Sequence, residues 1–407
     1  SVNIWEGGGA EGFHEPVRGG SSIRVKSNAI ILPRGRPSRD EDNGWHVAWA
    51  IVGAVSAPLL LAGLLVMLRR RQARQRSANP FNPRREKPSS ALDGLLILAA
   101  VGIGAFGAEQ MLRNVYPHEG FGIAAEDEWF RQAPYSANQL FTIDPTLGIR
   151  PWLRTGRYTE YGTVPNMYRL AKDSRHTRIL FVGNTVTYEG TLLHALRELH
   201  GEDRFEYWNA GVPTFNTVQQ IAYYHAYNAR TAPDHVILTI QPDDLGTIPI
   251  VFRNHTAELE VHRPAIPRKD LDTELYGSSY LYRYVKGLLI SPEEKLHRLW
   301  QEYRDSVKSF SERLAHDHIR LSVVVLPVLA SQQEWTQAER DRRQALFSVL
   351  TELQIEHYDL AQAFEPGRAE NAVLPPMSKE SWAPSSEMVS AFAQYMTHEG
   401  LFRTKEH

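Results

Sequence analysis

The stretch Arg178-Ile-Leu-Phe-Val-Gly-Asn-Thr-Val-Thr-Tyr-Glu-Gly190 decides the fold. Residues 179–182 form a short unbroken apolar run, as expected of a parallel strand covered on both faces. Gly183 ends the run in a turn, and Asn184, Thr185 and Thr187 are residue types that cap a helix, here predicted near 186–199. In an open α/β sheet the turn after such a strand is where a site is built.

The same alternation continues on both sides. Apolar runs at 204–209, 235–240, 320–326 and 355–359 are bounded by polar or turn residues and read as further parallel strands. Leu296, Trp300, Tyr303, Val307, Phe310 and Leu314 keep helical spacing and mark one buried stripe. A last helix is predicted near 386–397, after Pro384, with Ser385 or Ser386 as its cap. The expected fold class is therefore α/β, a three-layer α/β/α domain over residues 144–407. Residues 247–289 have few clean periods and several prolines, and read as a long insertion.

A chain of 407 residues with 42% apolar composition can build one large domain or two ordinary ones. Its net charge of −2 conceals an asymmetry: residues 113–407 hold 31 Lys/Arg against 38 Asp/Glu, a net of −7. That balance argues against a nucleic-acid partner. Cysteine is absent, which rules out disulfides, a thiolate nucleophile and Cys-ligated metal.

The first third reads as a membrane anchor. Residues 47–68 carry no charge and are long enough to cross a bilayer, which takes ~20 apolar residues. A second span is predicted over 91–112, around the apolar core 94–108, with Asp93 and Glu109 near its interfaces. Ala100, Gly104 and Ala108 repeat every four residues, a small-residue face open to another helix. The loop between the spans, 69–90, contains Arg69, Arg70, Arg71, Arg74, Arg76, Arg84, Arg85 and Lys87 against Glu86, which the positive-inside bias places in the cytoplasm. The Gly-rich tail 1–46, the connecting segment 113–143 and the α/β domain are then expected in the periplasm of a bacterial inner-membrane protein. The tail, with scattered Trp5 and Phe13, cannot form a core of its own.

Four blocks in the α/β part resemble those of the SGNH (GDSL-type) hydrolases. Gly183-Asn-Thr-Val-Thr187 stands where that family has Gly-Asp-Ser-x-Thr, and Trp208-Asn-Ala-Gly-Val212 resembles the second block and keeps Gly211. Gln241-Pro-Asp-Asp-Leu245 stands for Gly-x-Asn-Asp, and Glu380-Ser-Trp-Ala-Pro384 for Asp-x-x-His-Pro. Asp144-Pro-Thr-Leu-Gly-Ile-Arg150 and Pro165-Asn-Met-Tyr-Arg169 look like the lead-in of membrane-anchored bacterial members. The resemblance covers most of residues 144–401 and implies a flavodoxin-like sheet.

It also implies which groups once did chemistry. The nucleophile position is Thr185, the oxyanion positions are the Thr185 amide, Gly211 and Asp243, and the base and its orienting acid fall at Ala383 and Glu380. A hydroxyl without its base is a poor nucleophile near neutral pH, and losing a triad member costs ~10⁴–10⁶ in rate. An ionised Asp243 would repel the charge that an asparagine amide holds, a contribution ordinarily of ~3–4 kcal/mol. No active catalytic residue, metal, cofactor or small-molecule substrate is expected. The expected role is a structural subunit whose partners are other membrane proteins and lipid, with a photosynthetic or respiratory assembly as one compatible home.

Alternatives remain open at the level of sequence. A membrane-anchored esterase or O-acyltransferase acting on envelope polysaccharide would have similar architecture. His225, His235, His255 or His398 could replace the missing base, and Asp243 with Glu380 could bind a divalent cation. A carbohydrate-binding module using the old cleft is a further option, and Asn254-His-Thr256 matches a glycosylation sequon.

Overall fold

The computed structural model describes residues 53, 56–72, 74, 90–115, 124–125, 141–242, 244–253, 259–327, 335–364 and 384–402. All five predicted parallel strands are present: β4 (Thr177–Gly183), β5 (Phe205–Gly211), β6 (His235–Ile240), β9 (Arg320–Val325) and β10 (Glu356–Asp359). They form one sheet in the order β10-β9-β6-β4-β5, every pair parallel. Read by chain position that order is 2-1-3-4-5, the flavodoxin-like winding, whose direction reverses between β4 and its neighbours.

The central strands carry unbroken apolar runs, such as residues 179–182 and 236–238, because both faces are covered. Along β4, Ile179 and Phe181 point to one face, where they meet Leu192 and Leu196 of α4 (Thr191–His200) and Phe392 and Met396 of α10 (Ser386–His398). Leu180 and Val182 point to the other, against Ile221 and Tyr224 of α5 (Thr217–Ala226). There too lie Tyr303, Val307 and Phe310 of α8 (Pro292–His316) and Leu346 and Leu350 of α9 (Gln337–Glu352). The period-two alternation of a strand thus produces the three layers. The expected stripe on α8 is the one that packs, with Leu296 and Trp300 at its edge and Leu299 joining it. Ser385 caps α10 as the sequence suggests, accepting from the Met388 amide at 3.4 Å.

At the N-terminal edge of the sheet Arg178 is fully buried. Its guanidinium donates to Glu206 at 2.6 Å and to the carbonyls of Leu170 and Arg169, and lies 4.8 Å from the Trp208 ring. A buried charge needs such pairing to persist. The cage fixes the segment around Pro165–Arg169 to the edge strand, where Val164 also donates its amide to the Asn209 carbonyl.

Residues 247–289 are more regular than their sequence pattern suggests. They contain the antiparallel pair β7 (Ile250–Arg253) and β8 (Leu259–Pro264), extended by β1 (Ala124–Ala125), then α6 (Thr273–Ser278) and α7 (Tyr280–Leu289). The short strands and the two short helices are too brief to show a period, so only their burial of Ile250, Phe252, Ile266 and Tyr276 defines them. A second hairpin, β2 (Phe141–Asp144) with β3 (Gly148–Pro151), turns on Asp144, whose side chain accepts from the amides of Thr146 and Leu147.

Two helices precede this domain. Residues 56–72 form α1 and Ser90–Val115 form α2, which contains the predicted 91–112 span. Ser90–Asn114 is long and apolar enough to cross a membrane. Asp93 is buried and pairs with Arg70 at 3.0 Å, joining one end of α1 to α2. At the other end of α2, Glu109 accepts from the Tyr280 and Leu281 amides at 3.0 and 2.8 Å and from Ser279 Oγ at 2.9 Å. A carboxylate at a helix N-terminus satisfies donors that the helix itself leaves free. Arg113 completes the joint by donating to Glu109 and to the Ser278 carbonyl. The tail 1–46, the loop after residue 74 and most of the connecting segment lie outside the described residues, as do residues 47–52 of the first predicted span.

Candidate functional site

Gly183 and Gly211 pair in register at the C-terminal ends of β4 and β5, and α3 (Thr185–Glu189) starts directly from that edge. Both glycines are required by close approach. A Cβ on Gly211 would stand 2.2 Å from the Tyr188 amide nitrogen, and one on Gly183 would stand 2.0 Å from Thr187 Oγ1. The helix predicted near 186–199 is in fact two, broken at Gly190, whose φ of 72° no side chain adopts readily. Asn184 caps α3 as expected, its Oδ1 accepting from the Val186 amide at 3.2 Å.

Thr185 opens α3 directly after Gly183, which pairs with Gly211. Thr185 Oγ1 accepts the Thr214 amide at 3.3 Å, and among the described residues no histidine bonds to it. Gly211 donates its amide to Asn209 Oδ1 at 2.8 Å, while its carbonyl accepts from Tyr158 Oη at 2.9 Å. Asn209 Nδ2 in turn donates to the Tyr188 carbonyl at 3.1 Å, so this side chain ties the end of β5 to α3. Thr214 sits at φ 69°, an unusual conformation for a β-branched residue, and its carbonyl accepts from Arg263.

The Asn184 amide points the other way. Its Nδ2 donates to Gln241 Oε1 at 2.8 Å and to both oxygens of Asp244, at 3.1 and 3.0 Å. Asp244 also accepts the Gln241 amide at 2.9 Å, closing the loop after β6 onto the start of α3. Sequence reading singled out Asp243 and missed its neighbour: two adjacent aspartates on a loop give no signal of which one turns inward. Asn209 and Thr214 were missed too, since neither a strand asparagine nor a loop threonine announces which backbone group it meets.

Asp243, Glu380 and Ala383 lie outside the described residues, as do His255 and the sequon at 254–256. The other histidines weighed as substitute bases are engaged elsewhere. His235 begins β6, at the opposite end of the sheet from Thr185, and pairs with Ser322 Oγ at 2.8 Å. Burial pushes its pKa down to about 3. His225 lies beside Phe310, and His398 is an exposed partner of Glu399. Glu189, at the end of α3, is half-buried, and burial raises its pKa to about 7.

Among the described residues no group of three or more His, Asp or Glu side chains is placed to hold a metal. Two surface clefts, of about 440 and 700 Å³, are lined by residues such as Lys172 with Asp234 and Arg343 with Tyr395, and neither includes Thr185 or Gly211. The Gly211 amide is taken up by Asn209 Oδ1, whereas the Thr187 and Thr214 hydroxyls are buried without a hydrogen-bond partner among the described residues.

No protein-family model matches the chain, and no curated protein matches it. Among solved structures it is similar to a GDSL-like lipase from Bacteroides thetaiotaomicron VPI-5482, at 13% identity over 56% of this chain and 89% of that one, TM-score 0.33. It is also similar to an acetylxylan esterase from Geobacillus stearothermophilus, at 14% identity over 58% of this chain and 100% of that one, TM-score 0.34. An alpha/beta hydrolase enzyme from the metagenome of Lake Arreo, Spain, gives 14% identity, 56% and 97% coverage and a TM-score of 0.35. Likeness at such identities says nothing of activity. The parallel sheet and its 2-1-3-4-5 winding are those of a flavodoxin-like α/β fold.

Proposed function

We propose that this chain is a non-catalytic, SGNH-like subunit of a bacterial inner-membrane complex. Its α/β domain and Gly-rich tail face the periplasm and contact neighbouring membrane proteins. The observation that carries the reading is the Gly211 amide, which is spent on Asn209 Oδ1 at 2.8 Å. An acyl-transfer site needs its donors aimed at a vacant position where the oxyanion forms. The Thr185 hydroxyl, accepting from the Thr214 amide, and the alanine at position 383 support the same conclusion. The apolar helix Ser90–Asn114 supports membrane attachment.

The test is hydrolysis of p-nitrophenyl acetate by the purified full-length chain in mild detergent, wild type against Thr185→Ala. Equal, background-level rates are expected. Turnover that disappears in Thr185→Ala would refute the non-catalytic reading and favour a membrane-anchored esterase.

A further inference from the structure

We infer that α7 is an interfacial helix, its outer face seated in the lipid headgroup region beside the point where α2 leaves the membrane. The inference rests on the membrane attachment proposed above. Leu281, Tyr284, Val285 and Leu288 recur at helical spacing along α7 and make one apolar stripe, with Leu289 at its margin. The stripe's two ends have different fates. Leu281 and Tyr284 pack with Met111, Leu112 and Ala108 of α2. Val285, Leu288 and Leu289 are left 41%, 67% and 76% exposed.

A soluble domain does not usually leave the end of a helix so apolar and so bare. What distinguishes this patch is its continuity with α2. Val101, Ile103 and Phe106 of that helix are themselves exposed apolar residues, and the uncharged run ends at Glu109. The start of α7 sits on the Glu109 carboxylate, so it lies at the level where the first charge after the apolar run appears. From there α7 extends for roughly 15 Å, at 1.5 Å per residue.

The polar side of α7 is already occupied by the domain. Arg283 donates to the Tyr276 carbonyl and Lys286 to the Asp270 carbonyl. Tyr284, on the apolar stripe, is of the residue type that gathers at a membrane–water boundary. A short helix with one face held by protein and the other apolar is suited to lie in that boundary.

The chain has no cysteine, so single labels are unambiguous. Ile103→Cys, Leu288→Cys, Leu289→Cys and Glu312→Cys are spin-labelled in the full chain and reconstituted into phosphatidylcholine–phosphatidylglycerol vesicles. Position 312 is about 30 Å along α8 from its start, at 1.5 Å per residue, and serves as the aqueous reference. Collisions with oxygen and with a water-soluble nickel chelate report depth. The oxygen-to-nickel ratio at 288 and 289 is expected to be several-fold above that at 312 and below that at 103. If 103 reads as lipid while 288 and 289 match 312, the anchor stands and the interfacial helix is refuted. A label at 288 that is immobilised and shielded from both reagents means a protein covers this face, which also refutes it. An aqueous reading at 103 removes the membrane attachment itself, and the inference with it.

Discussion

Replacing Asn184 by aspartate would restore the residue that the SGNH family carries at this turn, yet it should destabilise the protein in a pH-dependent way. Asn184 is only 5% exposed, and its Nδ2 lies 3.0–3.1 Å from the two Asp244 oxygens. A second carboxylate there would lose those donations, and two charges ~4 Å apart repel by about 4 kcal/mol at an effective dielectric of 20. The less costly response is for the pair to keep one proton. With an unfolded aspartate pKa near 3.9, holding that proton at pH 7 costs about 4 kcal/mol, and at pH 5 about 1.5 kcal/mol. The folded state then binds a proton that the unfolded state releases, so stability falls as pH rises from about 4 toward 7.

For a domain of this size each kcal/mol moves the melting temperature by roughly 2–4 °C. Tryptophan-fluorescence melts of the full chain in mild detergent should therefore show a drop of roughly 8–15 °C at pH 7 and only a few degrees at pH 5. Adding Asp244→Asn to Asn184→Asp should recover most of the loss at pH 7. A single variant that melts within 2 °C of wild type at pH 7, or a penalty independent of pH, would show that Asn184 and Asp244 do not face each other as described.

Glu189 gives a pH effect of the same sign from a native residue. Burial raises its pKa from 4.5 to about 7, so its neutral form is favoured in the folded state and the chain loses stability as pH rises through that interval. Glu189→Gln should be stabilising at pH 8, by about 1 kcal/mol once its partial exposure is discounted, and neutral at pH 4.5; paired melts at the two values decide it. Gly211→Ala should fail to fold or melt far below wild type, because its Cβ would meet backbone atoms of Thr187 and Tyr188 at 2.2–2.6 Å. Overpacking against a flexible side chain costs ~1–3 kcal/mol, and a backbone contact leaves less room to relax; a melt close to wild type would remove the close approach from the account of this site.

The parallel sheet was legible because its strands are buried on both faces and so read as unbroken apolar runs, as in residues 179–182 and 236–238. The stripe on α8 was legible because 25 residues give the helical period room to show. By contrast α6 and α7 are 6 and 10 residues long, and the pairing of β7 with β8 depends on partners distant in sequence, so residues 247–289 read as irregular. At the site, the turn and its two glycines were visible in the residue types themselves. The hydrogen bonds that occupy the turn were not. Whether Asn209 serves the Gly211 amide, or Asp244 rather than Asp243 meets Asn184, is set by loop torsions that no residue type announces.

The location of those bonds bears on how the strand ends are tied to the neighbouring elements. The strand ends of a parallel sheet expose amides and carbonyls that an enzyme leaves available for its substrate and a structural protein must satisfy from within. Here Asn209 serves the Gly211 amide within β5, Asn184 bonds Asp244 and Gln241 across the strand ends, and Thr185 meets the Thr214 amide. Asn209 also joins β5 to α3 through the Tyr188 carbonyl, and Asn184 joins the β6 loop to the start of α3. The scaffold persists because the glycines and buried strands are needed for packing, whatever happens to the nucleophile.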